Sequence, residues 1–86
     1  MRLKTKFESE NINGERVFVA IDSDVLNGLI RANGTASFIL DRLAEDVTIH
    51  ELISMVVMAY DVDRDKAHSA VERIVEQLRK LNLIEE

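Results

Sequence analysis

Leu29-Ile30-Arg31-Ala32-Asn33-Gly34-Thr35-Ala36-Ser37-Phe38-Ile39-Leu40-Asp41-Arg42-Leu43 is the stretch in which the chain changes its period. Leu29 to Ala32 read as a short strand that closes a run of β-like segments. Beyond Gly34 the apolar residues Ala36, Ile39, Leu40 and Leu43 fall at i, i+3, i+4 and i+7, which is one face of a helix. The Asn33-Gly34 pair therefore ends a sheet and opens a helix. Thr35 is the expected N-cap, because a hydroxyl there can accept from the first free backbone N–H groups.

Upstream, Asn13-Gly14 and Asn27-Gly28 each lie between β-like runs. Asn-Gly favours a type I′ hairpin, in which both central residues need positive φ. Residues 4–12 read as a weak first strand holding Phe7 and Ile12. Residues 15–26 read as a second strand, with Val17, Val19 and Ile21 on one face and Phe18 and Ala20 on the other. Asp22-Ser23-Asp24 breaks that alternation, which predicts a bulge or a bend. Arg2, Lys4 and Lys6 alternate in the first strand-like segment and read as a solvated strand face.

Downstream, Thr48 and Glu51 fit a capping box, and Val47 and Leu52 fit the hydrophobic staple that goes with it. Leu52, Ile53, Met55, Val56, Val57, Met58 and Ala59 make this second helix apolar on nearly every side, so it is expected to be the most buried element. Asp61-Val62-Asp63 interrupts it, and Asp63 can cap a third helix. Ala67, Ala70, Val71, Ile74, Val75, Leu78 and Leu81 mark that helix's apolar stripe, with Val71, Ile74 and Leu78 expected at its centre. Glu72, Glu76 and Lys80 fall on the outer face, and Glu76–Lys80 has the favourable i,i+4 order. Asn82 suits the left-handed position of a C-cap, and Leu83 and Ile84 can fold back onto the core. The fold class is α+β: a three-stranded antiparallel β-meander followed by three helices, in a winged helix-turn-helix-like order.

Eighty-six residues bound this to a single domain spanning 1–86. The absence of cysteine excludes a disulfide framework and thiolate metal sites. The net charge of −5 opposes nucleic-acid binding driven by phosphate contacts. The start of the chain has no apolar segment of a signal peptide, and Leu52 to Tyr60 is too short to span a bilayer. A cytoplasmic protein with no membrane contact is expected.

Catalytic chemistry is not marked. His50 and His68 stand on different helices without metal-ligand spacing and read as surface residues. Asp61, Asp63 and Asp65 alternate like a calcium loop, but Lys66 stands where such a loop needs glycine, and helix capping explains the same residues. No Gly-rich phosphate loop is present. The expectation is a non-enzyme with no catalytic residue, no metal and no cofactor.

From about Arg16 onward the chain resembles the PqqD family, named after coenzyme PQQ synthesis protein D. Leu29-Ile30-Arg31-Ala32-Asn33 stands where the family has its third strand and terminal asparagine. Ile39-Leu40 stands at the family's Ile-Trp pair. Thr48-Ile49-His50-Glu51-Leu52 is similar to the family's second helix start, and Tyr60-Asp61-Val62-Asp63 to its break. Leu78-Arg79-Lys80-Leu81-Asn82-Leu83-Ile84 is similar to its ending, with asparagine in place of the left-handed glycine. The resemblance implies a peptide-recognition element for ribosomally made, modified peptides. It implies that a precursor (leader) peptide adds as a strand to Leu29, Ile30, Arg31 and Ala32 and lies against the third helix. It also implies a peptide-modifying enzyme as partner, with radical SAM enzymes among the candidates and PQQ biosynthesis among the pathways.

One flank of the third helix carries Ala70, Arg73 and Gln77, and the other carries Val75 and Arg79; the first is taken as the groove wall. Leu40 in place of Trp, and Ala32 in place of the family's Leu, shape the groove for a different peptide or leave it disused. By residues alone, a short edge strand suits docking and self-protection equally. Two further readings compete. A winged-helix DNA-binding regulator would use Lys66, Arg73, Arg79 and Lys80. A structural homodimer would pair through the third strand and an exposed Phe38.

Overall fold

The computed structural model describes residues 1–4, 6–20 and 29–86, with the backbone alone for Ala20, Leu29 and Ile30. The order is β1 (Arg2–Leu3), β2 (Phe7–Ile12), β3 (Glu15–Ala20), β4 (Leu29–Ala32), α1 (Gly34–Arg42), α2 (Ile49–Tyr60), α3 (Arg64–Lys80) and β5 (Ile84–Glu85). Strands β2, β3 and β4 form the expected antiparallel meander, in that spatial order.

The β2–β3 hairpin is set by its turn. Asn13 and Gly14 take φ of 52° and 84°, as a type I′ turn requires, and Ile12 pairs with Glu15 across it. Strand β4 then pairs with β3 from Val19↔Leu29 to Arg16↔Ala32. The expected Asn27-Gly28 turn, the Asp22-Ser23-Asp24 break and Ile21 lie outside the described residues. Phe18 enters the helical core, while Val17 on the opposite face is buried without joining it.

Helix α1 starts earlier than expected. Its cap is Asn33, whose Oδ1 accepts from the Ala36 N–H at 2.9 Å, and not Thr35. Asparagine is at least as good a cap as threonine. Helix α2 carries the full capping box. Thr48 Oγ1 accepts from the Glu51 N–H at 3.1 Å, and Glu51 Oε1 accepts from the Thr48 N–H at 2.9 Å. Asp61 ends the helix at φ 51°, and Asp63 Oδ1 accepts from the Lys66 N–H to begin α3. Two of the three aspartates of the calcium-like pattern, Asp61 and Asp63, thus hold helix ends, and Asp65 lies in the first turn of α3.

Helix α3 ends in a Schellman motif. Asn82, at φ 58°, donates to the Arg79 carbonyl, and Leu83 donates to the Leu78 carbonyl at 2.9 Å. Leu78 and Leu83 are both buried, as the motif's hydrophobic contact requires. Leu81 was expected in the stripe. It is the cap residue, where the helix has ended, and it is 62% exposed.

Two expectations fail for tertiary reasons. The basic alternation at the start of the chain does not run into the first strand of the meander. Arg2–Leu3 instead pairs with Ile84–Glu85 as a separate two-stranded sheet. The clasp is extended by backbone bonds from Leu3 to Leu43, Lys4 to Leu83 and Val47 to Met1. It draws Leu83 and Ile84 onto the core, as their apolar character demands.

Helix α2 is not buried all round either. Leu52, Ile53 and Val56 face the core, but Met58 is 85% exposed. The molecule is only 19 Å through its thinnest dimension. A helix with its side chains is about 10–12 Å across, so two layers fill that depth and no helix is enclosed.

Truncation should separate the two faces of α2. Leu52→Ala is expected to lower the unfolding free energy by ~2–5 kcal/mol. Met58→Ala should change it by less than ~0.5 kcal/mol. Urea titration of both variants measures the difference, and equal losses would mean that α2 is enclosed.

Candidate functional site

In the meander β4 is a terminal strand, so one side of its backbone has no ladder partner among the described residues. An edge of this kind presents N–H and C=O groups outward. The other edge, β2, carries Glu8 and Glu10, whereas β4 carries Arg31 as its one charged residue. Ser37 is buried beneath the end of β4, and its hydroxyl donates to the Ala32 carbonyl at 3.3 Å. This ties the last residue of the strand to the first turns of α1.

Across from β4 stands α3. Between them lies an open concavity of about 430 Å³ lined by Arg31, Ala32, Asn33, Thr35, Ala36, Ala70, Arg73, Ile74 and Gln77. It runs on into a niche of about 70 Å³ where Leu40, Leu78 and Leu81 join Ile74 and Gln77. Five residues chosen from the sequence, Arg31, Ala32, Ala70, Arg73 and Gln77, therefore share one groove. Leu29 and Ile30 lie on β4 by backbone, and their side chains are outside the described residues.

Sequence reasoning missed Ile74 as a groove residue. It was expected at the centre of the stripe, but Ala67, Val71, Val75 and Leu78 hold that place, and Val75 is fully buried. The stripe is wider than the core can cover, because the sheet stops at β4. Ile74 is left half-buried on the uncovered side. A width of one and a half apolar rows was visible in the sequence; which row is left open depends on where the sheet ends.

The opposite flank of α3 is occupied by its own charges. Arg79 donates to Glu86 Oε1 at 2.6 Å and to Glu76 Oε2 at 3.3 Å. Glu76 thus meets Arg79 rather than the expected Lys80. The hydrogen bonds that Arg79 donates to Glu86 hold the guanidinium above its usual pKa and hold the Glu86 carboxyl below the ordinary carboxylate range. His68 is exposed and sits 3.0 Å from Glu72 one turn on, and His50 is exposed at the start of α2. No group of three metal-ligating side chains occurs among the described residues, and no described helix is long and apolar enough to cross a membrane.

A larger concavity, about 630 Å³, lies on the other side of β4 and is bounded by Gly14, Arg16, Asn33, Phe38, Asp41 and Tyr60. It shares Arg31, Ala32 and Asn33 with the groove and also borders Glu15, but several of its other polar groups are engaged with one another. Arg16 forms a bidentate pair with Asp41 at 2.6 and 3.1 Å, donates to Ser9 Oγ, and lies 4.7 Å over the Phe18 ring. Tyr60 donates to the Gly34 carbonyl, and its ring meets Phe38 edge-on at 5.5 Å. These contacts brace the hairpin and the end of α2 against α1. Phe38, expected to be exposed, is half-buried by them. Nothing in the local sequence signals a pair such as Arg16–Asp41, because the partners are brought together only by the packed fold.

An unpaired strand facing a helix across an open groove, framed by capped helices, is the layout of an α+β binding domain. The chain belongs to the PqqD family: the family's sequence model, coenzyme PQQ synthesis protein D, matches residues 15–84. Its fold is similar to that of a solved structure described as TbiB1 in complex with the TbiA(beta) leader peptide. The two share 21% identity with a TM-score of 0.74, over 99% of this chain and 95% of the other. A search of curated proteins finds no match.

The Arg79–Glu86 pair predicts a pH response with a defined sign. A carboxyl whose pKa is lowered by folding contributes stability that is present above its unfolded pKa and is lost as pH falls through the folded value. Arg79→Gln should return the Glu86 carboxyl to the ordinary range and remove that acid-side loss. Carbon-detected NMR titration of the Glu86 carboxyl measures both, and an unchanged titration would mean that the pair does not persist in solution.

Proposed function

We propose that this chain is a non-catalytic recognition domain that takes a segment of a precursor peptide as an added strand on β4 and presents it to a peptide-modifying enzyme. The observation that carries the reading is the open backbone edge of β4 set across a groove from α3. Strand addition supplies main-chain hydrogen bonds, and a flanking groove supplies side-chain selection. Arg31, Ala32, Ala70, Arg73 and Gln77 line that groove, and Leu29 and Ile30 extend its backbone. Membership of the PqqD family supports the role, as does a structural neighbour solved with a leader peptide. On this reading the partner enzyme acts on ribosomally made peptides, and radical SAM enzymes are the first class to test by co-purification with the loaded domain.

Hydrogen exchange with a candidate leader peptide tests the mechanism. The outward amides among Leu29 to Ala32 should gain protection while those of β2 do not. Ala70→Trp, which fills the groove from a half-buried position, should weaken binding by at least ~10-fold, since lost groove contacts on this scale are worth more than 1.4 kcal/mol. Tight binding that leaves the β4 amides unprotected would exclude strand addition.

A further inference from the structure

We propose that the groove selects a peptide segment in which an acidic side chain is followed about four residues later by a large apolar one on the same face. This rests on the strand-addition reading and adds to it the chemistry of the segment.

The first argument is charge. The chain has 16 acidic residues and a net charge of −5. Yet among the described residues no carboxylate lines either the open groove or its apolar niche. The charged residues that line the groove are Arg31 and Arg73. Both are exposed, and neither belongs to an ion pair among the described residues. Other arginines are engaged: Arg16 with Asp41, Arg79 with Glu76 and Glu86, Arg2 with Glu85. An anionic side chain entering the groove thus meets two cations and, among the described lining residues, no carboxylate. The acidic surface around it disfavours the same peptide anywhere else.

The second argument is the division of the groove. Its polar end holds Ala70 and Arg73, and its other end holds Leu40, Leu78 and Leu81. Leu81 is 62% exposed at the rim of a small apolar niche that none of the described side chains fills. An apolar side chain from outside would cover it.

Spacing follows from geometry. Arg73 and Leu81 are separated by about 12 Å along the helix axis, which a strand crosses in about 3.6 residues. Side chains on one face of a strand recur every second residue, so the nearest allowed spacing is about four. Direction follows as well. Arg31 and Ala32 line both ends, but Asn33, just past the C-terminal end of β4, lines the groove beside Ala70 and Arg73 and not the niche, so a strand added antiparallel to β4 runs in the direction of α3. The acidic residue then precedes the apolar one.

The test is selection of a random linear peptide library displayed on phage against the folded protein. Enriched peptides are synthesised and titrated against the wild type, an Arg31→Gln/Arg73→Gln variant and an Arg79→Gln control. The expected result is enrichment of an acidic residue about four positions before a large aliphatic or aromatic one. Affinity should fall ~10-fold in the double variant and less than ~2-fold in the control, and wild-type binding should weaken with salt. Peptides that shift the amides of residues 29–32 but carry no such acid, or that keep their affinity in the double variant, would overturn the charge selection and leave strand addition standing. Peptides that bind without moving those amides would overturn both.

Discussion

The apolar stripe of α3 has to be covered, and the rest of the molecule is arranged to do it. Ala67, Val71, Val75 and Leu78 are small or medium-sized, so neighbouring backbones must come close. Helices α1 and α2 cover one side, and Leu83 and Ile84 return from the Schellman turn to cover the far end. The β1–β5 clasp then holds that return in place. With two layers the coverage stops at β4, and the Ala70, Ile74 and Gln77 side of α3 stays open. The groove is therefore not cut into a finished core. It is the part of α3 that a three-stranded sheet cannot reach.

That origin explains what was legible in the sequence. Most features encoded within four or five residues were readable: the Asn13-Gly14 turn, the capping box of Thr48 and Glu51, the Asp63 cap, the left-handed Asn82. The motifs that carry the family resemblance are these same punctuation marks. They fix where helices begin and end, and hence the order and length of the elements. The fold could be inferred from them because helix ends must satisfy their free backbone groups locally. The Asn33 cap was misplaced by two residues only because Thr35 can offer the same chemistry.

What was not legible depends on partners distant in sequence. Arg2 and Glu85 meet across the clasp, and Arg16 and Asp41 across the hairpin, with no periodic signal in either segment. Met58 and Ile74 are apolar residues whose burial depends on whether another layer lies over them. The sequence pattern marks both as core candidates. The thickness of the molecule decides against Met58, and the end of the sheet decides against Ile74. The candidate site shows the same division. Arg31, Ala32, Ala70, Arg73 and Gln77 could be placed from strand order and helical flank, and Leu40 from the family resemblance, while the part of Leu81 in the apolar niche could not.

The shortness of β4 bears on how such an edge could work. Four residues offer outward backbone groups at alternate positions only, so an added strand gains few main-chain hydrogen bonds. Each is worth about 0.5–1.5 kcal/mol net, and the sum is comparable to the cost of ordering a flexible segment. Backbone pairing alone therefore sets alignment rather than affinity. A short edge of this kind is also poorly suited to pairing with arbitrary strands, which limits self-association. The two readings of β4, as a docking edge and as an edge protected by its length, are thus compatible. The strand is too short to hold any peptide by its backbone and long enough to register one whose side chains match the groove. In the proposed mode discrimination falls to the side chains of Arg31, Arg73, Ile74 and Leu81, which line the groove and niche beside the edge.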